Sequence, residues 1–259
     1  MESVVWEDPS VEAAIHSIAH DSLSLRGIWS QELRDLSFPL DRWICKSLCW
    51  LAKHWIIEIQ GDLQALNRDP QILVMNHSNR LETVLLPAIF CYLRKGKRLH
   101  FMADWHLSLV PVLNGLLVRN GAIVVGSKPH RIGWLNRFRP QGSAFKAAQA
   151  HLQGGHSVAL FPEGKMNRNP KHLLKGRQGA AFLACQTGCP ILPIGIQFPA
   201  IQTGRIGDFN RMRLQIGTPL PAPHSPEQAV AHHREIMIRL SELSGKTWNP
   251  STQGGAHAG

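Results

Sequence analysis

The sequence lacks the cysteine spacing of a disulfide framework or a zinc site. Its five cysteines are an odd number and no two of them are spaced as Cys-x-x-Cys; they are Cys45, Cys49, Cys91, Cys185 and Cys189. We therefore expect small buried thiols in a reducing compartment, and we predict no disulfide and no metal site.

A membrane-spanning helix and a secretory signal are also missing from the sequence pattern. The stretch 178–204 contains no Asp, Glu, Lys or Arg, but glycines and prolines divide it into a predicted helix, turn and strand. The first ten residues are acidic, whereas a secretory signal begins with basic residues. Any contact with lipid is therefore expected to be peripheral.

Acidic residues are in the minority, since 18 Asp and Glu stand against 28 Lys and Arg and the formal net charge is +10. A basic protein attracts nucleic acid, anionic lipid or phosphorylated ligands, and composition does not choose among them. In Leu40–Ile59, tryptophans and other apolar residues recur at helical spacing with basic residues between them. The segment is predicted to be one amphipathic helix, which fits either a headgroup interface or packing on the domain core.

Strands and helices are predicted to alternate from residue 71 onward. The predicted strands are Gln71–Met75, Leu99–Met102, Ala122–Val125, Ser157–Phe161, Ile191–Phe198 and Arg213–Ile216; the predicted helices are Arg80–Lys95, Trp105–Val118, Gly142–Gln153, Gly176–Thr187 and Ser225–Leu243. This order implies an α/β fold with a mostly parallel central sheet flanked by helices. We expect an N-terminal helical, membrane-apposed segment at 1–60, the α/β domain at 61–245 and a flexible tail at 246–259.

The loops that follow the strands hold the candidate site, because sites in parallel sheets lie beyond the carboxyl ends of the strands. The first loop reads Asn76-His77-Ser78-Asn79-Arg80-Leu81-Glu82. With His77 in the loop and Glu82 in the first turn of the next helix, the carboxylate can bond one ring nitrogen and leave the other as a base. Alone, this pair is a weak signal, because fourteen histidines make such spacings common.

A second loop of interest is Phe161-Pro162-Glu163-Gly164-Lys165-Met166-Asn167-Arg168. A strand that ends in Pro-Glu-Gly and then turns basic can present backbone N–H groups and cations to an anion. An ordinary loop on a basic protein has the same local composition. His232 and His233, on the last predicted helix, are expected to lie on its solvated face.

Taken in order, these segments resemble the motifs of the glycerolipid acyltransferases, typified by the lysophosphatidate (1-acylglycerol-3-phosphate) acyltransferases. Asn76-His77 with Glu82 resembles Asn-His-x4-Asp, Gly121–Ser127 resembles Gly-x-Ile-x-x-x-Arg, Phe161–Gly164 resembles the start of Phe-Pro-Glu-Gly-Thr-Arg-Ser, Gly176–Ala181 is similar to Gly-Lys-x-Gly-Ala-Ala, and Pro190–Pro193 is similar to Pro-Ile-x-Pro. The likeness covers residues 71–219.

The sequence departs from the family pattern at several positions. Glu82 stands where the family has Asp, which makes the side chain one C–C bond, or about 1.5 Å, longer. Ser127 stands where an arginine is usual, and Asp104 where a lysine is common. Lys165-Met166-Asn167 replaces Thr-Arg-Ser, and Arg168 lies two positions beyond the family's arginine. These departures bear on the acceptor more than on the reaction.

The resemblance implies transfer of a fatty acyl group from acyl-CoA or acyl-carrier protein to the hydroxyl of a lysophospholipid such as 1-acylglycerol-3-phosphate. His77 and Glu82 would be the catalytic pair, with His77 as general base. The residues expected to bind the substrate are Asn76, Lys128, Arg131, Phe161, Pro162, Glu163, Gly164, Lys165, Arg168 and Arg177. We expect no cofactor besides the thioester co-substrate, and a cytoplasmic location on the inner face of an anionic membrane.

Other interpretations stay open at this stage. The altered second and third motifs favour a different lipid acceptor, such as an aminolipid or a glycolipid. Glu82 suggests a non-catalytic lipid-binding relative. The basic loop Lys128–Arg139, which contains Trp134 and Phe138, suggests a nucleic-acid-binding module, but the sequence has no known nucleic-acid-binding motif, so no nucleic-acid partner is expected. A covalent route through Ser78 is the alternative to direct transfer.

Overall fold

The computed structural model describes residues 24–109, 121–126, 129, 131–138, 140, 142–199 and 204–250. Their helices are α1 (Leu25–Ser30), α2 (Pro39–Ala52), α3 (Glu82–Leu93), α4 (Ala144–Gln153), α5 (Gly179–Thr187) and α6 (Pro226–Ser244). Their strands are β1 (Ile56–Gly61), β2 (Ile72–Met75), β3 (Leu99–Asp104), β4 (Ile123–Val125), β5 (Ser157–Leu160), β6 (Ile191–Gln197) and β7 (Met212–Ile216). Short 3₁₀ turns lie at Ala65–Asn67, Trp105–Leu109 and Gly133–Phe138.

The strands form one sheet in the order β1-β7-β6-β2-β5-β3-β4. Every neighbouring pair is parallel except β6 and β7, which are antiparallel. Helices cover both faces, as the crossovers of a parallel sheet require. The predicted α/β fold with a mostly parallel central sheet is therefore confirmed.

The core is divided in two by the sheet. All four residues of β2 are buried, and they alternate between the two faces: Leu73 and Met75 pack with α2 and α3, whereas Ile72 and Val74 pack with α4, α5 and α6. This two-sided burial explains why β2 is a continuous apolar run in the sequence. It makes β2 the fixed centre of the sheet, and the first candidate loop begins directly after it.

The prediction of one helix over Leu40–Ile59 is wrong in its last part. Helix α2 ends at Ala52, and the isoleucine-rich segment Ile56–Gly61 forms β1, which pairs with β7. Branching at Cβ restricts the side chain and favours a pleated, half-buried strand over a helix. The expected domain boundary after residue 60 therefore falls inside a strand of the sheet.

The described residues also bear on three other predictions: the two histidines of the last helix, the helix after β3 and the absence of a membrane-spanning helix. His232 and His233 are each 8% exposed, so the prediction of a solvated face is wrong for both. Both lie on the buried side of α6, where the ring of His233 contacts Trp248 edge-on, and burial lowers the pKa of His233. The predicted helix Trp105–Val118 begins as a 3₁₀ turn, and its remainder, 110–120, lies outside the described residues. Across the ranges described above, no helix is both long and apolar enough to cross a bilayer.

Candidate active site

The His77–Glu82 pair predicted from the sequence forms a direct contact. His77 Nδ1 lies 2.7 Å from Glu82 Oε2, and their side chains are 15% and 0% exposed. Since an ionised carboxylate only accepts hydrogen bonds, this contact places the ring proton on Nδ1 and leaves Nε2 as the basic nitrogen. The ring of His77 also stacks on Phe161, with centroids 4.4 Å apart, which restricts its rotation.

Glu82 is held in place by the loop that precedes it. It is the first residue of α3, where a negative charge is favoured by the helix dipole, and its Oε2 also accepts the Ser78 N–H at 2.8 Å. Asn79 caps the turn by accepting the Leu81 N–H at 2.7 Å. The Asn79 amide in turn donates to the Asp208 carbonyl at 3.1 Å, which attaches the loop to the segment before β7.

The loop after β5 holds the main chain of His77 from both sides. Glu163 Oε1 accepts the His77 N–H at 3.1 Å, and the Asn167 N–H donates to the His77 carbonyl at 2.7 Å. The other oxygen of Glu163 accepts from Asn167 Nδ2 at 2.8 Å and from the Leu174 N–H at 2.9 Å. The two loops lie side by side because β2 and β5 are adjacent parallel strands. Glu163 therefore orients His77.

A cleft of about 570 Å³ opens in front of His77. Phe161, Pro162 and Gly164 line it together with His77, and three basic residues, Arg80, Lys165 and Arg177, lie on its walls. Gly164 has φ +68°, and a Cβ there would lie 2.8 Å from Arg177 Nε, so glycine lets the guanidinium approach the loop. The cleft can therefore accommodate an anionic group near the histidine.

An apolar cavity of about 120 Å³ adjoins this cleft between α2, α3 and β3. Thr83 and Leu107 line both spaces. The cavity wall is formed mostly by apolar side chains and thiols, among them Cys45, Pro87 and Phe101. Cys45 and Cys91 are free thiols here. The hydrogen bond with Cys49, followed by burial, raises the pKa of Cys45, and the hydrogen bond with Cys45, followed by burial, raises that of Cys91.

Several residues expected to bind substrate are placed elsewhere. Asn76 is fully buried, and its amide exchanges hydrogen bonds of 3.0 and 2.7 Å with the main chain of Ile196, so it joins β2 to β6. Arg168 donates to Asp208 Oδ1 at 2.6 Å and is not among the residues that line the cleft. Arg131 is exposed and also lies outside the cleft lining, and Lys128 falls outside the described residues.

Three contributors to the site were missed in the sequence. Arg80 and Asn167 lie within the two candidate loops, and their place in those loops was the available signal. Lys246 is 4% exposed, and its Nζ donates to Ser78 Oγ at 2.7 Å. Nothing in the local sequence marks this lysine, and it lies in the segment expected to be a flexible tail. The Ser78 hydroxyl that it binds is fully buried, which leaves the covalent route through Ser78 without access to substrate in this structure.

Comparisons with known proteins bear on the family and the fold of this chain. A family model described as Acyltransferase matches residues 56–197. The chain is 28% identical over 159 residues to a 1-acyl-sn-glycerol-3-phosphate acyltransferase of Borreliella burgdorferi, an alignment that covers 61% of this chain and spans only 58% of that relative.

The fold also matches a crystal structure, that of the 1-acyl-sn-glycerophosphate (LPA) acyltransferase PlsC from Thermotoga maritima. The TM-score is 0.52 at 18% identity, with 91% of this chain and 95% of that chain covered. At this identity the match shows the fold. The family match spans more than half of the chain and includes both loops of the site, so the chain belongs to the Acyltransferase family.

Proposed function

We propose that this chain transfers an acyl group from a thioester to the hydroxyl of a lysophospholipid, with His77 as general base. One observation supports the proposal most strongly: His77 is bound through Nδ1 to the buried carboxylate of Glu82 and lies on the wall of the cleft. A histidine fixed in this way presents its second nitrogen to a ligand. The donor would be acyl-CoA or acyl-carrier protein.

In the proposed reaction the acceptor hydroxyl gives its proton to Nε2 of His77 while its oxygen attacks the thioester carbonyl. The tetrahedral intermediate then expels the thiolate, and the imidazolium returns the proton to the leaving sulfur. Glu82 stabilises the imidazolium while it exists and keeps the tautomer fixed. No proton is gained or lost over the whole cycle, so this route uses His77 as its single proton carrier.

The basic residues of the cleft support an acceptor that carries a phosphate. Arg80, Lys165 and Arg177 surround the same space as His77, and charge-assisted hydrogen bonds to phosphate are among the stronger polar interactions in proteins. The relative from Borreliella burgdorferi is named for 1-acyl-sn-glycerol-3-phosphate, which has such a group. A lysophosphatidate is therefore our proposed acceptor, ahead of an aminolipid or a glycolipid.

The apolar cavity beside the cleft would take an acyl chain. It opens next to Thr83, which also lines the cleft, so a chain that enters it leaves its carbonyl near His77. Burial of methylene groups there contributes about 0.8 kcal/mol each.

An apolar surface on α1 and α2 would dock the enzyme on the bilayer. Trp43 is 58% exposed and Trp50 is 46% exposed, and the same surface includes Leu25, Trp29 and Leu51. Phe38 and Leu40, at the start of α2, are also exposed. A monomeric protein rarely exposes so many large apolar side chains together unless they bind something. Their exposure favours the headgroup interface over packing of these side chains on the core.

A panel of acceptors tests the proposal. Transfer from a labelled acyl thioester would be measured to 1-acylglycerol-3-phosphate, to a lyso-aminolipid and to a lyso-glycolipid. We expect the phosphate acceptor to have the highest kcat/KM, and Arg177→Met to lower that value about 10- to 100-fold, as the loss of a charge-assisted hydrogen bond implies. Arg239→Met is the matched control, since Arg239 pairs with Glu242 on the exposed side of α6. A neutral acceptor used as well as the phosphate acceptor would contradict the assignment.

A further inference from the structure

Lys246 is a buried lysine that the proposed reaction does not use. It follows Gly245, the left-handed C-cap of α6, and lies beyond the segment that matches the family. The adjoining main chain is fixed, because the Lys246 N–H donates to the Ser241 carbonyl at 3.2 Å and the Thr247 N–H donates to the Lys171 carbonyl at 2.8 Å. These bonds hold the ammonium beneath the loop that carries His77.

Two buried carboxylates lie near this ammonium. Glu82 is fully buried and Glu163 is 5% exposed. Burial lowers the pKa of Lys246, and the negative charges of Glu163 and Glu82 oppose that shift. Burial likewise raises the pKa of Glu163, and Lys246 is one of the groups that counteract it.

The two carboxylate oxygens of Glu82 differ in their hydrogen bonding to the described residues. Its Oε2 binds His77 and the Ser78 N–H, whereas its buried Oε1 has no hydrogen-bond partner within the described part of the chain. A buried carboxylate oxygen in this position needs compensation by a nearby positive charge. The charged or titratable groups that meet here are His77 from the loop after β2, Glu82 from α3, Glu163 from the loop after β5 and Lys246 from the end of α6.

We propose that Lys246 is a positioning residue, whose ammonium is the shared counter-ion of Glu82 and Glu163 and keeps His77 held between two ionised carboxylates. The ammonium is enclosed and bonded to the buried Ser78 hydroxyl, so it acts through the loop and not on the substrate. This inference rests on the proposed role of His77 for its effect on rate, but the charge arrangement itself does not depend on any activity.

Removal of the charge has a specific consequence. In Lys246→Met the aliphatic stem is kept while two buried carboxylates lose their counter-ion, and like charges buried together cannot both stay ionised. The two carboxyls together would then retain a proton at a pH at which those of the wild type hold none. Because the two carboxyls interact, this proton is assigned to the pair and not to one residue. The acid limb of kcat/KM should move to higher pH by about one unit or more.

Two variants separate charge from packing. Lys246→Arg keeps the positive charge, so its acid limb should stay near that of the wild type. Ser78→Ala removes the hydrogen bond to Lys246 and keeps the ammonium, so it should also leave the acid limb in place, whatever it does to the rate. A merely structural role for Lys246 would lower the rate in Lys246→Met without moving the pH profile.

The deciding experiment is a carboxyl titration by NMR on protein with ¹³C-labelled glutamate, with Glu82→Gln and Glu163→Gln used to assign the two signals. In Lys246→Met, at least one of these carboxyls should titrate at a higher pH than in the wild type; unchanged titration of both in a folded variant would overturn the proposal. A wild type without transferase activity would refute the proposed function but leave this readout intact.

If Lys246→Met does not fold, the double variant Lys246→Met/Glu82→Gln decides. Glutamine can keep the bonds to His77 and Ser78 while the neutral amide group replaces the oxygen that has no partner. We expect the double variant to fold, because the loss of the positive charge is matched by the loss of one negative charge. A double variant that is as unstable as the single variant would overturn the proposal.

Discussion

Glu82 offers a sharp test, because this chain has glutamate where the family pattern has aspartate. The contact from His77 Nδ1 to Glu82 Oε2 is 2.7 Å, and Glu82 is anchored at the first turn of α3. Shortening the side chain by one C–C bond would withdraw the carboxylate by about 1.5 Å and lengthen the contact to roughly 4 Å, beyond hydrogen-bond range. The stacking of His77 on Phe161 hinders the ring from following the carboxylate.

We therefore expect Glu82→Asp to be nearly as poor an enzyme as Glu82→Gln. Glutamine can still accept the ring N–H but does not stabilise an imidazolium. General base catalysis typically contributes about 10²–10⁴-fold, or roughly 3–5 kcal/mol of barrier, and both variants should lose a large part of it. The assay is transfer of a labelled acyl group under single-turnover conditions, so that product release does not mask the chemical step.

Thermal unfolding of the same samples separates catalysis from folding. Glu82→Gln replaces a fully buried charge, one oxygen of which has no hydrogen-bond partner among the described residues, so its melting temperature should not fall. A Glu82→Asp variant with wild-type kcat would show that the loop adjusts to the shorter side chain and that the 2.7 Å contact is not lost as expected.

Two further predictions concern the membrane and pH. Replacing Trp43 and Trp50 with serine should weaken the salt-resistant part of binding to anionic vesicles and leave the melting temperature nearly unchanged, since both side chains are exposed. Ile238→Ser on α6 is the control, because Ile238 is also exposed. Unaltered sedimentation of the double variant with vesicles at high salt would eliminate this anchor. Burial holds the pKa of His233 below its ordinary value of 6.5, so the unfolded chain takes up this proton first as pH falls. The free energy of unfolding should therefore decrease below about pH 6.5. The difference in this free energy between pH 7.5 and pH 5.5, measured by urea titration, should be smaller in His233→Gln than in the wild type; an equal difference in the two proteins would contradict this prediction.

The parts of the fold that the sequence predicted are those with strong local patterns. The buried strand β2, the capped start of α6 and the His77–Glu82 pair each depend on residues close together in the chain. The family motifs indicated which loops along the chain contribute to the site. Adjacent parallel strands then brought the loops after β2 and β5 together, which the topology rule for such sheets anticipates.

The parts that the sequence did not predict depend on long-range contacts. Lys246 reaches Ser78 across 168 positions, and no local pattern marks a lysine as a buried counter-ion. Asn76 resembles a substrate ligand in the motif, but its amide binds β6, a strand whose position next to β2 only the folded sheet reveals. The helix predicted for Leu40–Ile59 is longer than α2, because the apolar residues of β1 continue the hydrophobic pattern of the helix.

The most direct test of the central claim is the activity of His77→Ala. Acyl transfer to 1-acylglycerol-3-phosphate would be compared between this variant, the wild type and His224→Ala, a control that removes an exposed histidine at the start of α6. We expect His77→Ala to fold, to bind vesicles like the wild type and to lose about 10²–10⁴-fold in kcat, while His224→Ala retains its activity. Wild-type turnover by folded His77→Ala would show that His77 is not the general base.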